Sequence, residues 1–384
     1  MSTHRRSSSS TSSRKTDSTP SPPPTKKCRE AKKNDEDAIL RKYDALMLSL
    51  NSRHPLSVTE LENTGAFADE STWKQVFYLC DNKPKGLFPL HEAIKKRASA
   101  AVFEFLLRLH PSQQVLKKWY GLIPLHIALQ PRFMYDGYRG VKVVHDNSDQ
   151  YDPVKVVDLL LQHNAEAQVL IMDKHHDELP IHYATENRSD VAIIKQLLRY
   201  NPSEQVLSKN SSGQLPIHCA TIAGCMSDSS WGKTVLGMLL QHDASKQVLT
   251  TWDSLPLGIA VAHSNVDFVE MLLRYKRAQQ VLTKDTHSGR LPLHTAVAHK
   301  KQAKIVGILL QDNPDEQVVA KDNEGQIPLD IALDQRKVDV AVVELLLQHS
   351  PAKQILATRN SSVPLPLHAA LYNGASERIV ELLL

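Results

Sequence analysis

Eight times along its 384 residues the chain repeats an apolar-Pro-aliphatic step, with an alanine four places after the proline. The copies read LFPLHEA from Leu87, LIPLHIA from Leu122, ELPIHYA from Glu178, QLPIHCA from Gln214, SLPLGIA from Ser254, RLPLHTA from Arg290, QIPLDIA from Gln326 and PLPLHAA from Pro364. Their prolines, from Pro89 to Pro366, are separated by 35, 56, 36, 40, 36, 36 and 38 residues. A period of this length marks stacked supersecondary units, none of which hides its apolar face alone. It overrides the two or three globular domains that length by itself would suggest.

Each unit reads as two helices. Proline fits the first helical turn, because the N–H it lacks has no intrahelical acceptor there. The alanine one turn later (Ala93, Ala128, Ala184, Ala220, Ala260, Ala296, Ala332, Ala370) lies on the same face and narrows it for close packing. A second amphipathic helix follows, as in AKIVGILLQ (Ala303–Gln311) and VAVVELLLQ (Val340–Gln348), with aliphatics at three- and four-residue steps. Next come segments such as PSEQVLSKNSSG (Pro202–Gly213) and PDEQVVAKDNEG (Pro314–Gly325). There the helix is expected to end, QVL to run extended, and a D/N-x-x-G turn to reverse the chain as a short β-like finger.

With its Pro-Leu-His-x-Ala opening and D-x-x-G turn, the chain resembles the ankyrin repeat family over roughly Asp81 to Leu384. Tetratricopeptide and pentatricopeptide units have similar periods but neither feature. The resemblance implies an all-α solenoid of about eight helix-turn-helix units with short β-like fingers, spanning residues 81–384. Three departures stand out. Leu, Ile or Phe replaces the threonine before the proline, the unit is about three residues longer than usual, and the second helix ends in forms such as LLRYNP (Leu197–Pro202) instead of Gly-Ala.

Six copies carry histidine two residues after the proline: His91, His126, His182, His218, His294 and His368, with Gly258 and Asp330 in the other two. Distance excludes a shared metal, since packed helices lie about 8–10 Å apart and zinc ligands bind within roughly 2.0–2.1 Å. Six identical catalytic bases would be redundant. Each imidazole is expected to hydrogen-bond backbone groups of a nearby turn, which resembles the role of the ankyrin histidine. The residues that follow it, Glu92, Ile127, Tyr183, Ile259, Thr295 and Ile331, are expected to vary a concave surface.

Other motifs fail on their own chemistry. WGKT (Trp231–Thr234) resembles the end of a phosphate-binding loop, but Ser227 stands where a glycine belongs and no strand precedes it. HEAIK (His91–Lys95) has Lys95 where a zinc-protease helix has its second histidine. KHHDE (Lys174–Glu178) reads as a solvated turn, and CATIAGC (Cys219–Cys225) as packing thiols. No catalytic residue, cofactor-binding residue or metal ligand is assigned, and the chain is not expected to be an enzyme.

Two units are longer than the rest between their helices, over PRFMYDGYRGVKVVHDNSDQYD (Pro131–Asp152) and AGCMSDSSWGK (Ala223–Lys233). Both are expected to protrude from one edge, and insertions in repeat proteins often lie on a binding face. Aromatic and arginine side chains anchor interfaces. Phe133, Met134, Tyr135, Tyr138, Arg139 and Tyr151 in the first insertion and Trp231 in the second are therefore the candidate partner-binding residues. The competing reading folds these aromatics back over the protein's own edge.

Residues 1–36 are rich in Ser, Thr, Pro and Lys/Arg, and too poor in apolar residues to fold. Residues 1–33 hold nine Lys/Arg against Asp17 and Glu30, a net of +7; with +4 overall, the remainder is near −3. RRSSSSTSSRK (Arg5–Lys15) and KKCREAKK (Lys26–Lys33) resemble nuclear-import clusters. A transit peptide or a plain tail are the alternatives, although STPSPPP (Ser18–Pro24) would break a transit helix. Residues 37–80 are expected to form a helical N-terminal cap, with helices over Asp37–Leu50 and Asp69–Cys80. The last repeat reads as truncated at IVELLL.

Four scattered cysteines, Cys28, Cys80, Cys219 and Cys225, do not make a disulfide framework and fit a reducing compartment. No apolar run is long enough to span a bilayer, and no secretory signal begins the chain. A cytoplasmic or nuclear location follows, with no membrane partner. The slightly acidic body argues against nucleic acid. The expected protein is a non-catalytic, monomeric scaffold or adaptor for an unknown protein partner, without cofactors. Two alternatives stand beside it. One is the N-terminal interaction region of a larger enzyme or signalling protein whose catalytic part lies beyond residue 384. The other is a nuclear chromatin- or RNA-associated factor guided by the basic arm.

Overall fold

The structure, a computed structural model, describes residues 37–384 except 47, 50–57, 66–68, 70, 73–74, 76–87, 109, 131–132, 136–140, 144–150, 227–228, 299–302, 336–337 and 358–364; for 133–135 and 141–143 it describes the backbone alone. The described chain is mostly helical.

Each proline heads a short helix: Pro89–Lys95, Pro124–Ala128, Pro180–Glu186, Pro216–Met226, Pro256–Ala262, Pro292–Ala298, Pro328–Leu333 and Pro366–Tyr372. Every one of these packs on the next in that order. The second helices make a second row with the same order of contacts: Ala100–Leu106, Pro153–Leu161, Val191–Leu197, Ser229–Leu239, Val266–Leu272, Ala303–Leu309, Val340–Leu347 and Glu377–Leu383. The aliphatic after the proline is the centre of each contact. Leu90, Leu125, Ile181, Ile217, Leu257, Leu293 and Leu329 are fully buried, each burial stabilising by roughly 1.5–3 kcal/mol. The alanine one turn on is buried in seven of the eight units and half-buried at Ala128.

The first helix stops in a left-handed residue. Arg97, Arg188, Ser264 and Gly374 have φ of 53°, 52°, 58° and 66°. The next N–H then reaches back to the alanine carbonyl, as in Ala98 to Ala93 and Ser189 to Ala184, closing the helix end with a Schellman-type bond.

The expectation of an extended QVL is corrected. A third short helix stands there instead: it takes in the whole of QVL in Pro202–Leu207 and Arg277–Leu282, and ends at the glutamine in Ala165–Gln168 and Pro314–Gln317, where the next two residues are a turn. The residue before it, such as Asn164, Asn201, Asp243 or Asn313, is again left-handed. That residue breaks the second helix and lets proline or another residue start afresh at a first turn. In the fingers an isolated bridge joins Trp119 and Leu122. Among the described residues the only named strands are Phe133–Tyr135 and Val141–Val143, an antiparallel pair inside the first insertion.

The second insertion is taken up by helix. It lengthens the two helices it joins, to Pro216–Met226 and Ser229–Leu239, instead of making a long loop. The two helices meet glycine to glycine. A Cβ on Gly224 would lie 2.7 Å from the Gly232 Cα and 2.8 Å from the Phe268 ring.

At the N-terminal end residues 37–46 are helical, and Tyr43 and Leu46 are buried. The helix Val58–Asn63, not anticipated from the sequence, packs on Ala100–Leu106 with Leu61 buried. The expected helix over 69–80 falls mostly outside the described residues.

Candidate functional site

Five of the six repeated histidines, His91, His126, His182, His218 and His294, face inward. The Nδ1 atoms of His126, His182, His218 and His294 accept from the backbone N–H three residues earlier, at 3.3, 3.1, 3.1 and 3.1 Å. An Nδ1 that accepts carries no proton, so Nε2–H donates. It reaches the following finger: Glu178 O at 3.2 Å from His126, Gln214 O at 3.3 Å from His182, Thr250 O at 3.1 Å from His218 and Ala320 O at 3.0 Å from His294. His91 Nε2 lies 3.3 Å from Leu122 O. Burial pushes His91, His126, His182 and His218 down to about 4, and lowers His294. His368, in the last unit, is exposed. Where histidine is missing, Asp330 keeps the local half of the pattern by accepting from Ile327 N at 3.0 Å. At Gly258, the Ser254 hydroxyl occupies the space, 1.9 Å from where a Cβ would sit.

A second repeated polar residue went unread in the sequence. Gln168, Gln205, Gln247, Gln280, Gln317 and Gln354 are fully buried, and Gln114 nearly so. Each amide Nε2 donates to the carbonyl eight residues earlier; at Gln205 that is Leu197 O, 2.8 Å away. Six of them also donate five residues back, as Gln205 does to Tyr200 O at 2.5 Å. Two donors therefore close the carbonyl end of the second helix, which backbone alone leaves open. The signal was visible: glutamine precedes Val or Ile at the same place in all of these segments.

The positions after the histidine do not form an open wall. Glu92, Ile127, Tyr183, Ile259 and Ile331 are buried, and Thr295 is half-buried. Glu92 pairs with Lys95 at 3.3 Å. The Tyr183 hydroxyl donates to Asp173 at 2.5 Å.

One described residue of each insertion, Tyr151 and Trp231, lies at or beside a single crevice. Tyr151, where the long insertion rejoins its second helix, is half-buried, with the Arg97 guanidinium 5.3 Å above its ring. Burial raises its hydroxyl to about 12. Trp231 is half-buried and its indole N–H donates to Ser189 O at 2.9 Å. Tyr151 is one wall of this crevice of about 270 Å³, with Ile94, Ile127 and Ile193 in its lining and Asn187, Ser189 and Asp190 on the polar side. Of the candidate partner-binding residues, Tyr151 lines the crevice, and Trp231 does not line it but bonds Ser189, which does. Phe133, Met134 and Tyr135 form a strand, with Phe133 paired to Val143. Tyr138 and Arg139 lie outside the described residues.

The discounted motifs sit in structural roles. The Gly232–Lys233–Thr234 step is helical, and Lys233 pairs with Asp267. Lys95, in the helix Pro89–Lys95, lies 4.7 Å over the Trp119 ring. His175 and His176 belong to a turn whose N–H groups converge on Asp173. Burial pushes the free thiols of Cys219 and Cys225 up to about 12 and about 11, which makes both poor nucleophiles at neutral pH. Among the described residues no cluster of His, Cys, Asp or Glu is placed to hold a metal ion. No helix among them is long and apolar enough to cross a membrane. Neither a protein-family model nor a curated protein sequence matches the chain.

Proposed function

We propose that the chain is an ankyrin-type helical solenoid, working as a non-catalytic, monomeric protein-binding scaffold in the cytoplasm or nucleus. The observation that carries the reading is the use of its repeated polar groups. The histidines and glutamines are turned inward and committed to backbone bonds within and between units. A chain that spends its recurrent polar groups on stacking leaves recognition to what differs between units. The largest such difference is the edge where Tyr151 lines a crevice and Trp231 bonds Ser189 in its lining. The protein partner docks there.

Affinity capture with the whole chain tests this, alongside a variant in which residues 132–149 are replaced by a short Gly-Ser linker. Tyr151 and Asp152 are retained, because Asp152 caps the helix Pro153–Leu161 through Val154 N at 2.9 Å. Loss of specific partners from the variant is the expected result. Identical partner sets would remove the edge from the proposal.

A further inference from the structure

We infer that Arg97 is the positioning residue of the long insertion, holding its return point through the stack on Tyr151. The inference rests on the reading of that insertion as the docking element. The end of the first helix demands a left-handed residue: the same place holds Arg97, Arg188, Ser264 and Gly374, with φ between 52° and 66°. Glycine adopts this conformation without strain and an L side chain does not. The backbone favours glycine there, as at Gly374, and what sets Arg97 apart from the other side chains in this place is what it touches. Arg188 in the same conformation is exposed, whereas Arg97 is half-buried, lines the crevice and lies 5.3 Å over the Tyr151 ring. A guanidinium stacked on an aromatic face is attracted to the ring quadrupole. Tyr151 precedes Asp152, the cap of the next helix, so the stack ties the insertion's exit to the preceding unit.

The test uses the full chain as wild type, Arg97→Gly and Arg97→Lys, with hydroxyl-radical footprinting of Tyr151 beside thermal unfolding. In Arg97→Gly the unfolding midpoint stays equal or rises, while Tyr151 is oxidised about threefold faster or more, the worth of a cation–π contact of this exposure. Arg97→Lys restores protection, because an ammonium also sits over a ring. An unchanged Tyr151 rate in Arg97→Gly overturns the inference. So does a lowered midpoint with every tyrosine more reactive, which would make Arg97 a general stability residue. Footprinting needs no partner. A faster Tyr151 rate together with partner capture indifferent to residues 132–149 would keep the positioning role and sink the docking reading.

Discussion

At the residue scale the buried histidines set the acid limit of the fold. Between pH 6.5 and about 4 the unfolded chain binds a proton at His91, His126, His182 and His218 that the folded chain does not. Their contribution is complete above pH 6.5 and is lost as the pH falls towards 4, by up to about 1.4 kcal/mol per pH unit for each histidine. Urea unfolding between pH 7 and 4 should show that steep loss. His182→Ala should be less stable at pH 7 by about 2 kcal/mol, through the unpaired groups it leaves, and lose stability less steeply on acidification. The glutamines make the opposite case. Gln205→Glu sets a carboxylate against two carbonyls and should cost about 3 kcal/mol or more at pH 7. Its folded-state pKa is then raised, so its deficit relative to wild type should shrink as the pH drops. A deficit independent of pH would mean that the side chain has swung out of the helix end.

At the scale of the element, first helices were legible and third helices were not. Proline, the aliphatic beside it and the alanine a turn later are local signals, and the helices start where they stand. QVL carries β-branched and aliphatic residues that read as extended, but β propensity yields to context. The context here is a left-handed residue before the segment and a glutamine whose partners lie eight residues back. The helical form of the second insertion was illegible for a similar reason. AGCMSDSSWGK has the composition of a loop, yet its two glycines let helices approach to a distance no other residue permits. Gly224→Ala should therefore destabilise the protein by about 2–3 kcal/mol, since backbone and the Phe268 ring must move. Gly258→Ala meets a hydroxyl instead. Alone it should gain little, and with Ser254→Ala it should gain about 0.5 kcal/mol from helix propensity. Chemical denaturation of the three variants separates these cases.

For the whole molecule, packing links each unit to its neighbours, so local damage should spread by adjacency. Phe268→Ala empties the contact that also holds Gly224 and Gly232, and should cost about 3–5 kcal/mol. Hydrogen exchange should then quicken most in the helices Pro216–Met226, Ser229–Leu239 and Pro256–Ala262, and least in Pro366–Tyr372. Uniform acceleration along the chain would mean a single cooperative body instead of coupled units.

The sequence alone determined the period, the helical class, the inward role of the histidine position and where units lengthen. All of these are carried by residues within one turn of each other, or by a pattern repeated often enough to read directly. Tertiary structure alone decided that a third helix stands where QVL was read as extended, that glutamine closes the second helix, that the residues after the histidine are buried, and that Tyr151 lines a crevice beside Ser189, the partner of Trp231. Each of those depends on partners in another helix or another unit. Such distances are set by packing, which a linear spacing does not encode.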